Sequence, residues 1–343
     1  ARGLAAIWHL NFGEFEEAAT MAAELESRLP YIAPRQRWQL AAAKAVLRRD
    51  RVALVDGFQD WAERLPNASR LLHLASIQRV AQRPRACIET LDRVDLEGSR
   101  YFRSAWKWLL YAECYRFLGD YDRSLEQIRA GRERFPERRN LVVPEVKALA
   151  GIGRSADAEA LIDRYLASPA AGETFEHERV FAMLVDGALT MRAAGDTLAA
   201  ERTLGRAVNW YRTRSTGDSA SAADRWYLAR ALYAAGRWEE AREAFNALTV
   251  EDLAGHPEIL SHNVDVSLLG YRAALSARLG RQAEADALDA WLATLRRPHL
   301  WGHATYWRAA IAAARGDPER ATELLGQSIS EGLFAMPWGT EYP

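Results

Sequence analysis

Apolar residues recur along this chain at spacings of three and four, and they almost never alternate one by one. Such spacing lines the apolar side chains along one stripe of an α-helix, whereas alternation would mark a strand. Ala, Leu, Glu and Arg fill these stretches, and all four lose little on entering a helix. Gly and Pro fall between the stretches, where a helix has to end. The pattern predicts an all-α chain of many helices joined by short turns.

The turns keep a phase. FGEFEEAATMA from Phe12, LGDYDRSLEQI from Leu118 and AGRWEEAREAF from Ala235 read almost alike. Glycines stand at Gly13, Gly119, Gly153, Gly195, Gly236, Gly280 and Gly316, and weaker turns fall in LRRDR near Asp50 and AQRPR near Gln82. Five positions after the glycines come Ala18, Ser124, Ala158, Ala200, Ala241, Ala285 and Ala321. Seven positions before them come Ala6, Ala112, Ala188, Ala229, Ala273 and Ala309, with Val146 the one larger residue. Small residues belong where two antiparallel helices approach to roughly 8–10 Å, and the glycine permits a left-handed turn between them. The spacing of roughly 32–44 residues is that of helical-hairpin repeats.

These residues carry a resemblance. AGRWEEAREAF, LGDYDRSLEQI and ARGDPERATEL resemble the turn and second helix of tetratricopeptide repeats, which implies a right-handed superhelical solenoid of about nine hairpins. We expect residues 1–343 to form a single solenoid, with shorter repeats over 1–150 and longer loops, such as SPAAGETFE and RTRSTGDSASA, over 151–343. The stretch RRPHLWGHATYWRAAIAAARGDPERATELL also resembles helical-repeat regions appended to bacterial serine/threonine kinases and other modular signalling proteins. No kinase motif accompanies it, so that likeness implies a setting and no activity. ARGLAAIWHL lacks a starting methionine and reads as mid-helix, and GLFAMPWGTEYP ends without a polar cap. Both suggest a piece of a longer polypeptide.

Composition narrows the partner. With 45 basic and 46 acidic residues well mixed, the formal charge is −1, a poor basis for neutralising nucleic-acid phosphates. No apolar run approaches the ~18 residues that span a bilayer, and no signal-peptide core opens the chain. Cys87 and Cys114 are too few for a disulfide framework and too far apart for a CxxC site, so a reducing cytoplasm is the simplest expectation.

A search for chemistry finds little. GIGRSA, with Gly151, Gly153 and Ala156, matches a dinucleotide-binding fingerprint in letters, but the helical PEVKALA precedes it where a strand is required. His256, His262, His299 and His303, with Glu258 and Asp265 nearby, could converge on a zinc ion; surface and capping roles suit them better. An α/α-toroid hydrolase would also be helical and rich in tryptophan, yet no isolated pair of acids stands out. We expect no cofactor, no metal and no catalytic residue.

In the family this chain resembles, the first helices of successive hairpins line a concave groove. Helical offsets in LLYAECYRF and its surroundings put Trp106, Leu109, Glu113 and Arg116 on one face and Trp108, Ala112 and Tyr115 on the packing face. The same offsets elsewhere give Arg79, Lys147, Arg192, Trp226, Arg230, Tyr233, His303 and Tyr306. Arginines and aromatics are frequent hot-spot residues. The alternative is that the arginines pair with glutamates of the neighbouring repeat. The expected function is a non-catalytic module of bacterial signalling that binds a protein or peptide in this groove, which suits acidic side chains or a free carboxylate. A ligand-sensing regulatory domain is the main rival.

Overall fold

A computed structural model describes residues 6, 9, 10, 14–31, 33–64, 66–97, 104–168, 176–215, 221–254 and 263–333. All the regular structure in these residues is helical, and its residues group into two compact units, 1–118 and 119–343. Within each unit, helices pack mainly on near neighbours along the chain, which is the stacking of a solenoid.

In unit 1 the helices are α1 (Phe15–Ser27), α2 (Pro34–Leu47), α3 (Arg51–Arg64), α4 (Ala68–Val80), α5 (Pro84–Asp92) and α6 (Trp106–Phe117). Consecutive helices pack together, and α4 also packs on α6, first helix against first helix. One apolar cluster runs from Ala42 on α2 through Phe58, Leu72 and Leu91 to Leu110 on α6. The α2–α3 and α4–α5 turns lack glycine. Arg49 and Gln82 take the left-handed conformation there, at φ 52° and 59°. Cys87 on α5 and Cys114 on α6 form a disulfide, and both are fully buried. One bond is no framework, but the pairing removes the step from cysteine count to a reducing compartment. The pair is 27 residues apart in sequence, but packing α5 on α6 brings the two together.

Unit 2 contains α7 (Tyr121–Arg134), α8 (Val142–Gly151), α9 (Ser155–Leu166), α10 (His177–Phe181) and α11 (Gly187–Ala193), the last two joined by a π turn over Ala182–Asp186. It continues with α12 (Thr197–Arg214), α13 (Ala222–Ala234), α14 (Trp238–Asn246), the short α15 (Val250–Ala254), α16 (Val264–Arg278), α17 (Gln282–Thr294), α18 (His303–Ala314) and α19 (Pro318–Ser330). Here Gly119, Gly153, Gly195, Gly236, Gly280 and Gly316 all take φ between 72° and 94°, as the turn pattern required. Asp120, Asp196 and Asp317 follow three of these glycines and cap the next helix, accepting from backbone N–H groups three residues on.

The small-residue register is the packing seam. Ala18, Ala158, Ala200, Ala241 and Ala285 are completely buried and Ser124 nearly so, while Ala321 is half-buried. On the preceding helices Val146, Ala188, Ala229 and Ala273 are completely buried too. First helices of unit 2 also meet directly, α8 on α11 and α16 on α18. At the second of these contacts a Cβ on Gly270 would stand 2.1 Å from the Trp307 ring, so only glycine lets that indole fill the seam. Gly13 lies outside the described residues.

Candidate functional site

In unit 1 the expected site residues are largely occupied with one another. Arg79 on α4 is buried and donates to Glu113 on α6 at 2.5 Å. This is the pairing of arginine with a glutamate of the next repeat, and it removes both as a ready surface for a partner. Trp106 is half-buried, with its ring 5.2 Å from that of His73, the next rings in this row being Trp61 and the stacked Trp38. Arg116 lies 4.8 Å from the Phe117 ring and is half-buried.

Unit 2 gathers more. Arg230 on α13 is half-buried, with its guanidinium 4.4 Å from the Phe181 ring. An arginine over an aromatic face gains from the ring quadrupole; burial opposes the Arg230 charge, but Tyr271, which it also hydrogen-bonds, and Tyr227 outweigh that and hold it charged. Tyr233, one turn further along α13, packs edge-on against Tyr271 at 5.0 Å and Trp238 at 5.5 Å. Burial, helped by Tyr271, pushes the Tyr233 hydroxyl up to about 12. Burial and the neighbouring Tyr271 and Tyr233 push Tyr306 well above its ordinary value too. The hydroxyls of Tyr233 and Tyr306 therefore stay protonated donors across the physiological range. Lys147 on α8 pairs with Asp186 at 2.7 Å, at the end of the π turn. Arg192 is exposed at the end of α11.

Two expected residues are core instead. Trp226 is 3% exposed, wedged against Phe245 and Tyr271, so it cannot meet a partner. His303 is also 3% exposed, with Nδ1 between the Leu300 carbonyl and Asn263. The offset argument placed both on the open face because it treats every first helix as straight and equally spaced. Reasoning from sequence also missed Asp186 and Tyr271. A signal existed: Asp186, Tyr227, Tyr271 and Trp307 each stand nine positions before a turn glycine, a column one residue off the chosen stripe. In the last three repeats that column is aromatic and buried.

A polar knot lies at the start of α10. Glu176 accepts hydrogen bonds from Tyr165 and Arg179, and Arg139 stands 3.7 Å away. Beside it His177 Nδ1 lies 2.9 Å from Asp224 Oδ1. Burial opposes the Asp224 charge, but hydrogen bonds from His177 and Ser221 outweigh it and hold the carboxyl below its usual range. Ser221 donates to Asp224 and not to His177, so the base–nucleophile contact of a hydrolase is not made. Among the described residues no cluster of His, Cys, Asp and Glu has the arrangement of a metal site; His256, His262 and Glu258 lie outside them. GIGRSA closes α8 and turns into α9, with helix where a dinucleotide site needs a strand. Among the described residues no helix is long and apolar enough to cross a membrane.

Stacked antiparallel hairpins with a small-residue seam define the α-solenoid class of helical-repeat proteins. Within that class, residues 225–251 match the family model for the tetratricopeptide repeat, so the chain carries a tetratricopeptide repeat at α13–α14. Among solved structures, a tetratricopeptide repeat protein from Parabacteroides merdae ATCC 43184 is 16% identical, with a TM-score of 0.40 over 87% of this chain and 94% of that one. The structure of Naa15/Naa10 bound to HypK-THB gives 16% identity and a TM-score of 0.32 over 94% of this chain and 51% of that one. No curated protein sequence matches the chain. The repeat supports a scaffold for protein–protein contacts.

Proposed function

We propose that the chain is a non-catalytic interaction module that takes an extended peptide or protein segment along the first-helix face of unit 2. Arg192, Arg230, Tyr233 and Tyr306 are the contact residues we assign there, while Lys147 is held by Asp186 as Arg79 is by Glu113; in unit 1, Trp106 and Arg116 keep partial exposure and serve that unit's own face. The observation that carries this reading is Arg230, held over Phe181 with Tyr233 and Tyr306 nearby as protonated donors. A guanidinium oriented by a ring and flanked by hydroxyl donors suits a carboxylate, so the preferred segment is acidic or ends in a free carboxylate. The resemblance carried by residues 296–325 supports a bacterial signalling or regulatory setting.

The test is fluorescence anisotropy with labelled peptides of alternating Glu–Ala or Lys–Ala. The acidic peptide binds the native chain and weakens roughly tenfold on Arg192→Glu combined with Arg230→Gln, the size expected on losing charge-assisted hydrogen bonds. Circular dichroism checks that the helices persist. Equal binding of acidic and basic peptides, or no loss in the double variant, would overturn the reading.

A further inference from the structure

The turn between α17 and α18 combines a cavity, a left-handed stretch of backbone and charge that no described residue neutralises. The cavity measures about 470 Å³, and Arg296, Trp301, Thr305, Arg308 and Glu331 are among its walls. That volume lies in the range of small-molecule sites, roughly 300–1,000 Å³. Three of its residues in a run of four adopt left-handed backbone: His299 at φ 61°, Trp301 at 41° and Gly302 at 84°. Gly302 is pressed so close to α19 that a Cβ would stand 2.2 Å from the Ser328 carbonyl oxygen. Side chains rarely accept such conformations, and where they do, a ligand site is a frequent reason.

The charges around the cavity do not cancel pairwise. Arg297 is held by both oxygens of Asp265, at 2.8 and 2.7 Å, and by Asn263. Arg308 is held by Asp289 at 2.8 Å. Arg296, by contrast, donates only through Nη1, to the carbonyls of Ala293 and Leu295, and no carboxylate among the described residues meets it. Glu331 accepts from the Thr305 hydroxyl at 2.5 Å and the Gln327 amide at 2.7 Å, both neutral groups. Among the described residues, then, no opposite charge meets Arg296 or Glu331, and both stand on the wall of the same cavity.

Backbone polarity adds to the cationic side. Gly302 is the N-cap of α18 and brings no side chain to cap it. Ala304 and Thr305 are each 8% exposed, yet their N–H groups hydrogen-bond to no described residue. These donors and the positive end of the helix dipole favour a carboxylate. Glu331, with Trp301 also lining the cavity, favours an ammonium group.

We propose that this cavity binds a small zwitterion of the amino-acid type. Its carboxylate sits at Arg296 and the first turn of α18, and its ammonium group at Glu331. The site is separate from the peptide face, since none of the contact residues assigned to that face lines the cavity. Failure of either reading leaves the other standing. A small-ligand site of this kind is what a sensing domain needs.

The experiment is isothermal titration of the full chain with each of the twenty free L-amino acids in turn, and with acetate, ethylamine and inorganic phosphate. At least one amino acid binds, and acetate and ethylamine each bind roughly tenfold weaker or not at all, since each satisfies only one end. Arg296→Gln and Glu331→Gln each weaken amino-acid binding roughly tenfold or more. Both side chains are exposed, and the glutamine in E331Q still accepts from Thr305, so melting temperature and circular dichroism stay at the native values. Three results overturn the proposal: no amino acid binds; phosphate or acetate binds as tightly as the best amino acid; or binding survives both substitutions unchanged.

Discussion

Units 1 and 2 solve one packing problem with different means. Both stack antiparallel helices on a seam of small residues. Unit 2 makes its turns with glycines and stitches second helices together with ion pairs one repeat apart: Glu159 to Arg202, Asp163 to Arg206, Glu239 to Arg281 and Arg242 to Glu284. Unit 1 turns on Arg49 and Gln82 in a conformation that costs an ordinary residue roughly 1–2 kcal/mol. It carries a buried disulfide and stacks Trp38 on Trp61, with centroids 4.1 Å apart. The seam is the shared requirement. The turn residue and the fastening can vary, provided something offsets a poor turn.

The largest effect that would sharpen this comparison is on the disulfide. Closing a loop of 27 residues restricts the unfolded chain, an effect worth about 3.5 kcal/mol in the chain-entropy treatment. Reduction under native conditions is therefore expected to lower the unfolding transition of unit 1 and leave that of unit 2 in place. Calorimetry with and without reductant, with mass spectrometry to count thiols, checks this. A single transition that shifts as a whole would mean the two units do not unfold separately.

The next effect, smaller, exchanges the turn residues. Gln82 is exposed, so Gln82→Gly relieves its left-handed strain without removing packing, and unit 1 gains about 1 kcal/mol. The reverse change at Gly280 meets open space around the new Cβ but keeps φ at 74°, so Gly280→Gln costs unit 2 about 1 kcal/mol. Urea melts of each variant read both. Two changes of the same sign would show that the turn residue does not set the difference.

Much of this was legible in the sequence, and the reason is periodicity. The glycine turns and the alanines five after and seven before them are local requirements of one repeated hairpin, so they recur in phase. Gln82 and Arg49 broke the letter of that pattern while keeping its geometry. The site was less legible, because a residue's face depends on where its helix sits against the next repeat. The π turn over Ala182–Asp186 shifts the phase within its own helix, which brought Asp186 to Lys147. Trp226 and His303 satisfied the stripe and still point into the core. Cys87 and Cys114 meet only through α5 packing on α6, a tertiary fact with no local signature.

The smallest expected effect concerns the ion pairs of unit 2. Arg242 and Glu284 lie 3.1 Å apart on α14 and α17 and keep side-chain exposures of 19% and 39%. A pair this open to water gives up much of its Coulomb energy to solvation, so its coupling is expected near 0.5 kcal/mol. A double-mutant cycle of Arg242→Gln and Glu284→Gln isolates that term from the change each substitution makes alone. In about 1 M salt the Debye length falls to ~3 Å and the coupling should fade. Repetition makes the result matter beyond one pair. If each rung is weak and screened, the ladder acts chiefly to set the register between repeats, and the hydrophobic seam supplies the stability. A coupling near 2 kcal/mol that survived salt would reverse that assignment and make the ladder the counterpart of the disulfide in unit 1.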